Sequence, residues 1–168
     1  MIGLIARILK VLNSETDPRQ IAGAVVLAAL FGLTPLWTLH NLIVLLLVLV
    51  LRVNLSIFII AWGVFTVLAF ALDPLFDSLG HAVLTAEPLR SMWAAFYATD
   101  LGKLSAFNNS VVMGSLCAGL ILAPVLWFAT IHLVRNYRTH MLDWVRRRRI
   151  YQVISGSRLV TTYQSFRS

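Results

Sequence analysis

The chain has 168 residues, 59% of them hydrophobic and only 12% charged, with a formal net charge of +7 from 14 Lys and Arg against 7 Asp and Glu. Its apolar content lies in long runs, which excludes a soluble domain of short amphipathic elements and leaves an all-α integral membrane protein of one domain. Eight of the 14 basic residues lie beyond residue 134, flanking an apolar run, so topology and anionic headgroups account for the charge and no nucleic-acid partner is expected.

Residues 1–13 place Gly3, Arg7 and Lys10, followed by Ser14, at spacings of four, three and four. On a helix these make one polar stripe beside an apolar surface, so the expectation is an interfacial helix whose Arg7 and Lys10 reach anionic headgroups. Charges inside the apolar pattern argue against a cleavable signal peptide.

Asn13 to Thr16 favours a turn. Asp17 as N-cap, Pro18 at the first helical position and Gln20 three residues after the cap predict a helix starting at Pro18. From Gln20 to Leu51 no side chain is charged, and Gly32-Leu33-Thr34-Pro35 divides the run. Two short helices are expected, one to about Leu33 and one over Leu36–Leu51, forming a broken hairpin across 18–52 that either crosses the membrane or is re-entrant. A single kinked helix would be ~48 Å long, too long for an ordinary bilayer without large tilt. The hairpin puts Arg19 and Arg52 on one side, which the positive-inside bias makes cytoplasmic. Gly23 and Gly32, with the alanines between them, allow close packing of another helix.

Residues 55–72 are expected to span the membrane and close at Asp73-Pro74. Residues 73–107 carry four acidic against two basic side chains and read as an external amphipathic segment. Trp93, Phe96 and Tyr97 there lie either at the outer interface or against the spans. Residues 110–134 form a further transmembrane helix with Gly114 and Gly119 as packing positions and Pro124 as a tolerated kink. Residues 135–149 make a basic cytoplasmic segment in which Arg146, Arg147, Arg148 and Arg149 contact anionic lipid, and 150–168 a flexible tail. Both termini are then cytoplasmic in a multi-pass protein of the bacterial inner membrane.

Polar groups at depth cluster only around the first break: Thr34, Trp37, Thr38, His40 and Asn41 beside Pro35. They form either a polar lipid or substrate site or the groups that satisfy the broken backbone. His40, His81, His132 and His140 show no metal-binding spacing, and the lone Cys117 excludes an internal disulfide and a cysteine-based zinc site. The carboxylates are expected in loops and flanks, and no phosphate loop or nucleophile motif is present. Catalysis, a metal and a cofactor are therefore not expected.

Asp17-Pro18-Arg19-Gln20-Ile21-Ala22-Gly23, Phe31-Gly32-Leu33-Thr34-Pro35, His40-Asn41 and Arg52-Val53-Asn54 together resemble a bacterial domain-of-unknown-function family of small membrane proteins. Its members usually carry Asn-Pro where this chain has Asp73-Pro74. The resemblance implies an all-helical inner-membrane protein. A longer subgroup with an arginine-rich end, which this chain also resembles, is associated with large envelope proteins similar to AsmA-like lipid-transfer repeats. The expected function is a non-enzymatic accessory subunit, an anchor or lipid-entry partner of such a protein. The alternative is a small oligomeric transporter or lipid flippase with its polar site at Thr34-Pro35. Expected partners are membrane lipids with anionic headgroups and either a larger envelope protein or further copies of the chain.

Overall fold

The structure, a computed structural model, describes residues 17–147, with side chains through residue 140. The expected interfacial helix with Arg7 and Lys10, the side chains of Arg146 and Arg147, and Arg148, Arg149 and the tail lie outside the described residues. The chain divides into two compact units, residues 1–131 and 132–168, and each is taken by itself.

The first unit begins with α1, Pro18–Leu33. The Asp17 carboxylate accepts from the Arg19 amide at 2.9 Å, so the start is capped by the residue placed there for that purpose. The helix stops because Thr34 precedes a proline, whose ring disfavours helical dihedrals at the residue before it; Thr34 is extended, with φ −100 and ψ 151. A second helix, α2, runs Leu39–Val50. It starts three residues later than the apolar pattern predicts, because residues 36–38 are bends that carry the chain around the corner. The two helices are a hairpin and not one kinked rod: the Asn54 amide donates to the Gln20 carbonyl at 3.3 Å, joining the ends.

Helix α3, Leu55–Thr85, is capped by Asn54, whose side chain accepts from the Ile57 amide at 3.1 Å. It does not close at Asp73-Pro74 but continues through Pro74 for another eleven residues. A proline interior to a helix removes one backbone bond and strains one carbonyl, a cost that tertiary contacts can offset. Here Phe76 and Gly80 are buried just beyond it, and these contacts hold the helix together. Asp73 and Asp77 therefore sit within a helix, not in a loop.

After α3 a 3₁₀ turn, Glu87–Leu89, leads into the short helices α4, Arg90–Tyr97, and α5, Asp100–Leu104. The Trp93 indole donates to the Val83 carbonyl at 3.2 Å, and Trp93 packs against Phe96 and Tyr97. These aromatics thus pack on one another and on the end of α3. Helix α6, Ser110–Arg147, contains Pro124 without interruption.

Packing centres on α1. Ile21, Ala22, Ala24, Leu27, Ala28, Ala29 and Leu33 are buried, and α3 packs along the helix. Small side chains let the backbones approach, which is the usual basis of tight helix contact where lipid removes most of the hydrophobic drive. A Cβ at Gly32 would lie 2.9 Å from the Phe65 Cβ and 3.0 Å from the Trp62 carbonyl; one at Gly23 would lie 3.1 Å from Val53. Gly119 faces Leu30 across the α1–α6 contact, where an added Cβ would lie 3.0 Å from the Leu30 Cδ2. The closest approach joins α3 and α6, where Gly80 and Gly114 present their open faces to the backbone of residues 110 and 76 in turn. Ser110, Gly114 and Ala118, spaced by four, share the α6 face involved. The sequence pattern had singled out Gly114 and passed over its counterpart Gly80.

Gly63 is different. It is exposed on α3, with nothing within 4 Å of a built Cβ. Gly63→Ala is expected to raise stability by about 0.5–1 kcal/mol through the lower backbone entropy of alanine, read as a higher melting temperature in detergent.

Among the described residues, two helices are long and apolar enough to cross a membrane, at Leu55–Thr85 and Ser110–His140. Only 11% and 28% of their most apolar windows are buried, which separates them from the core helices of a soluble domain. In the second unit, the described part of α6 carries a local ladder. Asn136 lies 2.9 Å from the His132 Nε2, and its carbonyl accepts from Thr139 at 2.9 Å and from His140 Nδ1 at 2.8 Å.

Candidate functional site

The break between α1 and α2 gathers five of the six residues singled out around it into one hydrogen-bonded corner. Asn41 is 2% exposed, and its amide nitrogen donates to the Pro35 carbonyl at 2.9 Å. That bond orients the amide, so Oδ1 faces Thr34, whose hydroxyl lies 2.9 Å away and also 2.9 Å from the Leu30 carbonyl. Thr38 donates to the same Pro35 carbonyl at 3.2 Å. Proline and the bend expose carbonyls that a continuous helix would satisfy, and short polar side chains supply what the backbone lacks. Thr34, Thr38 and Asn41 are accordingly committed to holding the corner.

His40 and Trp37 are not so engaged. His40 is 8% exposed, its Nε2 lies 3.2 Å from the Thr38 hydroxyl, and its Nδ1 is buried without a partner. With the Thr38 hydrogen directed at Pro35, the ring donates from Nε2 and Nδ1 is left as a bare acceptor. The imidazole lies 5.9 Å from Phe107, which stacks on Phe96 at the same separation. The corner is thereby joined to the segment after α3 by a run of rings. Burial pushes the Tyr97 phenol in that run above its ordinary range. Trp37 is 97% exposed at the tip.

Beneath the corner a groove of about 340 Å³ opens between the break and α3. Gly32, Leu33, Thr34, Pro35, Leu36 and Trp37 form one side; Thr66, Ala69, Phe70 and Asp73 form the other, with Val111 at the end. Its volume suits a small ligand or one end of a larger one. Thr66, Phe70 and Asp73 were not grouped by the sequence pattern. Their spacing of four and three is a helical stripe, visible only if the helix is carried past Leu72 and through Pro74. Among the described residues no group of three or more His, Cys, Asp and Glu could hold a metal ion.

A sequence profile of the bacterial family described as "Uncharacterized protein conserved in bacteria (DUF2062)" matches residues 4–142. The chain belongs to this family. The DUF2062 match takes in α1 through α5 and most of α6, so it covers the hairpin, the corner and the groove together. An "Uncharacterized protein" of Treponema pallidum (strain Nichols) is 23% identical over 159 residues, covering 95% of this chain and 98% of that protein. No solved structure gives a significant match.

Proposed function

We propose that the chain is a non-enzymatic, multi-pass subunit of the bacterial inner membrane, serving as anchor or lipid-entry partner for a larger, AsmA-like envelope protein of lipid transport. The observation that carries this reading is the apolar outer surface. On α2 only His40, Asn41, Val44 and Val48 are buried, while Leu49 is 73% exposed; Phe70 on α3 is 77% and Phe128 on α6 70% exposed. Soluble monomers rarely expose apolar patches beyond a few hundred Å², whereas hydrocarbon is the natural solvent for such a surface.

In this reading α3 and α6 cross the bilayer, both termini are cytoplasmic, and residues 73–107 lie outside. The hairpin of 18–52 enters from the cytoplasmic side, and its tip lies at the level of Asp73, near the outer boundary. Its helices are about 24 and 18 Å long at the standard rise, and the bend of residues 34–38 carries the chain across their outer end. Arg19 and Arg52 at its joined base meet anionic headgroups, and Trp37 at its tip sits where aromatic side chains collect.

Cross-linking in native membranes followed by affinity purification tests the partnership. A larger envelope protein is expected to co-purify with bound lipid in fixed ratio to the chain, and recovery of a lipid-free monomer alone would count against the proposal.

A further inference from the structure

The groove holds an unassigned charge. Arg90 pairs with Glu87 at 3.1 Å and Lys103 with Asp100 at 3.4 Å, while Asp77 accepts from the Ser110 hydroxyl. Asp73 is half-buried on the groove wall and has no partner among the described residues. Two further acceptors share its stripe. The Thr66 Oγ1 is buried without a hydrogen bond. Pro74 lacks the N–H that would have bonded the Phe70 carbonyl. No Lys or Arg lines the groove, and its remaining walls are largely apolar.

The Asp73 carboxylate and the carbonyl freed one turn earlier at Phe70 match a group that donates and does not accept, which is an alkylammonium; Thr66, about 10 Å further along the helix axis, is too far away to share the same nitrogen. An anionic head would meet Asp73 with no cation to offset it. We infer that the groove receives the primary-ammonium headgroup of a membrane lipid, of the phosphatidylethanolamine class, with Asp73 as its counter-ion. The acyl chains then run along the exposed apolar faces beside the groove. A charged hydrogen bond in a site partly shielded from water is stronger than the same contact in solution, so one carboxylate is enough to discriminate between headgroups. The inference rests on the membrane-embedded lipid-partner reading.

The test uses the full chain reconstituted in phosphatidylcholine nanodiscs containing equal amounts of phosphatidylethanolamine and phosphatidylglycerol, with the lipids retained after mild extraction measured by mass spectrometry. Retention of phosphatidylethanolamine over phosphatidylglycerol by roughly tenfold is expected, equivalent to one decade in affinity. Asp73→Asn should bring the ratio to roughly one, while Thr66→Val, two turns from the carboxylate, should leave it close to that of the unaltered protein. Glu87→Gln, away from the groove, should leave it unchanged. Equal retention by the unaltered protein, or an unchanged ratio in Asp73→Asn, overturns the assignment. Displacement of the lipid by O-phosphoethanolamine would make a water-soluble ammonium compound the ligand and overturn it equally. Vesicle flotation separates the two levels: a chain that does not insert removes the membrane reading and this inference together, and one that inserts without headgroup preference removes this inference alone.

Discussion

Gly114→Leu is expected to separate α3 from α6 and leave a protein that is aggregated or rapidly proteolysed in detergent. A Cβ at Gly114 overlaps the Phe76 carbonyl and lies 2.8 Å from the Gly80 nitrogen; one at Gly80 overlaps the Ser110 carbonyl and lies 2.8 Å from the Gly114 nitrogen. Neither obstacle is the movable end of a side chain, so relief requires the two backbones to part and to give up the burial of Phe76, Val112 and Met113. Overpacking of a dense contact costs about 1–3 kcal/mol, and more when backbone has to shift. Gly114→Leu should lie at or above the top of that range, and Gly114→Ala within it. Gly119→Ala is the internal comparison. Its nearest obstacle is the Leu30 Cδ2 at 3.0 Å, which a rotamer change can move, so a loss below about 1 kcal/mol is expected. Thermal unfolding and limited proteolysis of all three in one detergent decide the matter. Equal tolerance of leucine at 114 and at the open Gly63 would mean that α3 and α6 do not meet there.

Asn41→Leu is expected to cost about 1–2 kcal/mol and to loosen the corner specifically, since it removes two hydrogen bonds made by a buried side chain. Leucine has the same branched heavy-atom skeleton and is larger, so no cavity forms. What is lost is the donor to the Pro35 carbonyl and the acceptor for Thr34. The loss is partial, because the Pro35 carbonyl keeps Thr38 and the Thr34 hydroxyl keeps the Leu30 carbonyl. Thr38→Val provides the scale: its bond to Pro35 is solvent-exposed, and less than half the Asn41 effect is expected. Hydrogen exchange at residues 39–42 should rise in Asn41→Leu while that of α6 stays unchanged. Uniform exchange across the chain would show that the corner has no stability of its own.

Local chemistry made part of this fold legible in the sequence. A carboxylate before Pro18, a threonine before Pro35 and an asparagine before α3 each act within a few residues, and the helix limits follow from capping and from proline sterics alone. The continuation of α3 through Pro74 was not legible by that route. The local rule ends a helix at such a proline, and what overrides it is burial of Phe76 and Gly80 against a helix that begins at Ser110, some thirty residues later. The groove was hidden by the same step, because Thr66, Phe70 and Asp73 share a face only on an unbroken helix. Around the break the polar residues were visible as a cluster. Their division into Thr34, Thr38 and Asn41, which close the corner, and His40 and Trp37, which do not, depends on hydrogen-bond geometry that composition does not carry.

The bond between the Asn54 amide and the Gln20 carbonyl also orders events in time. Once α1 and α2 have formed, the only soft joint between them is residues 34–38, so closing the hairpin carries the entropy of a short loop and not that of the whole intervening chain. Every group that the closure needs lies before α3. During synthesis the hairpin is therefore expected to close once residue 54 clears the exit tunnel and its surroundings, before α3 lies against α1.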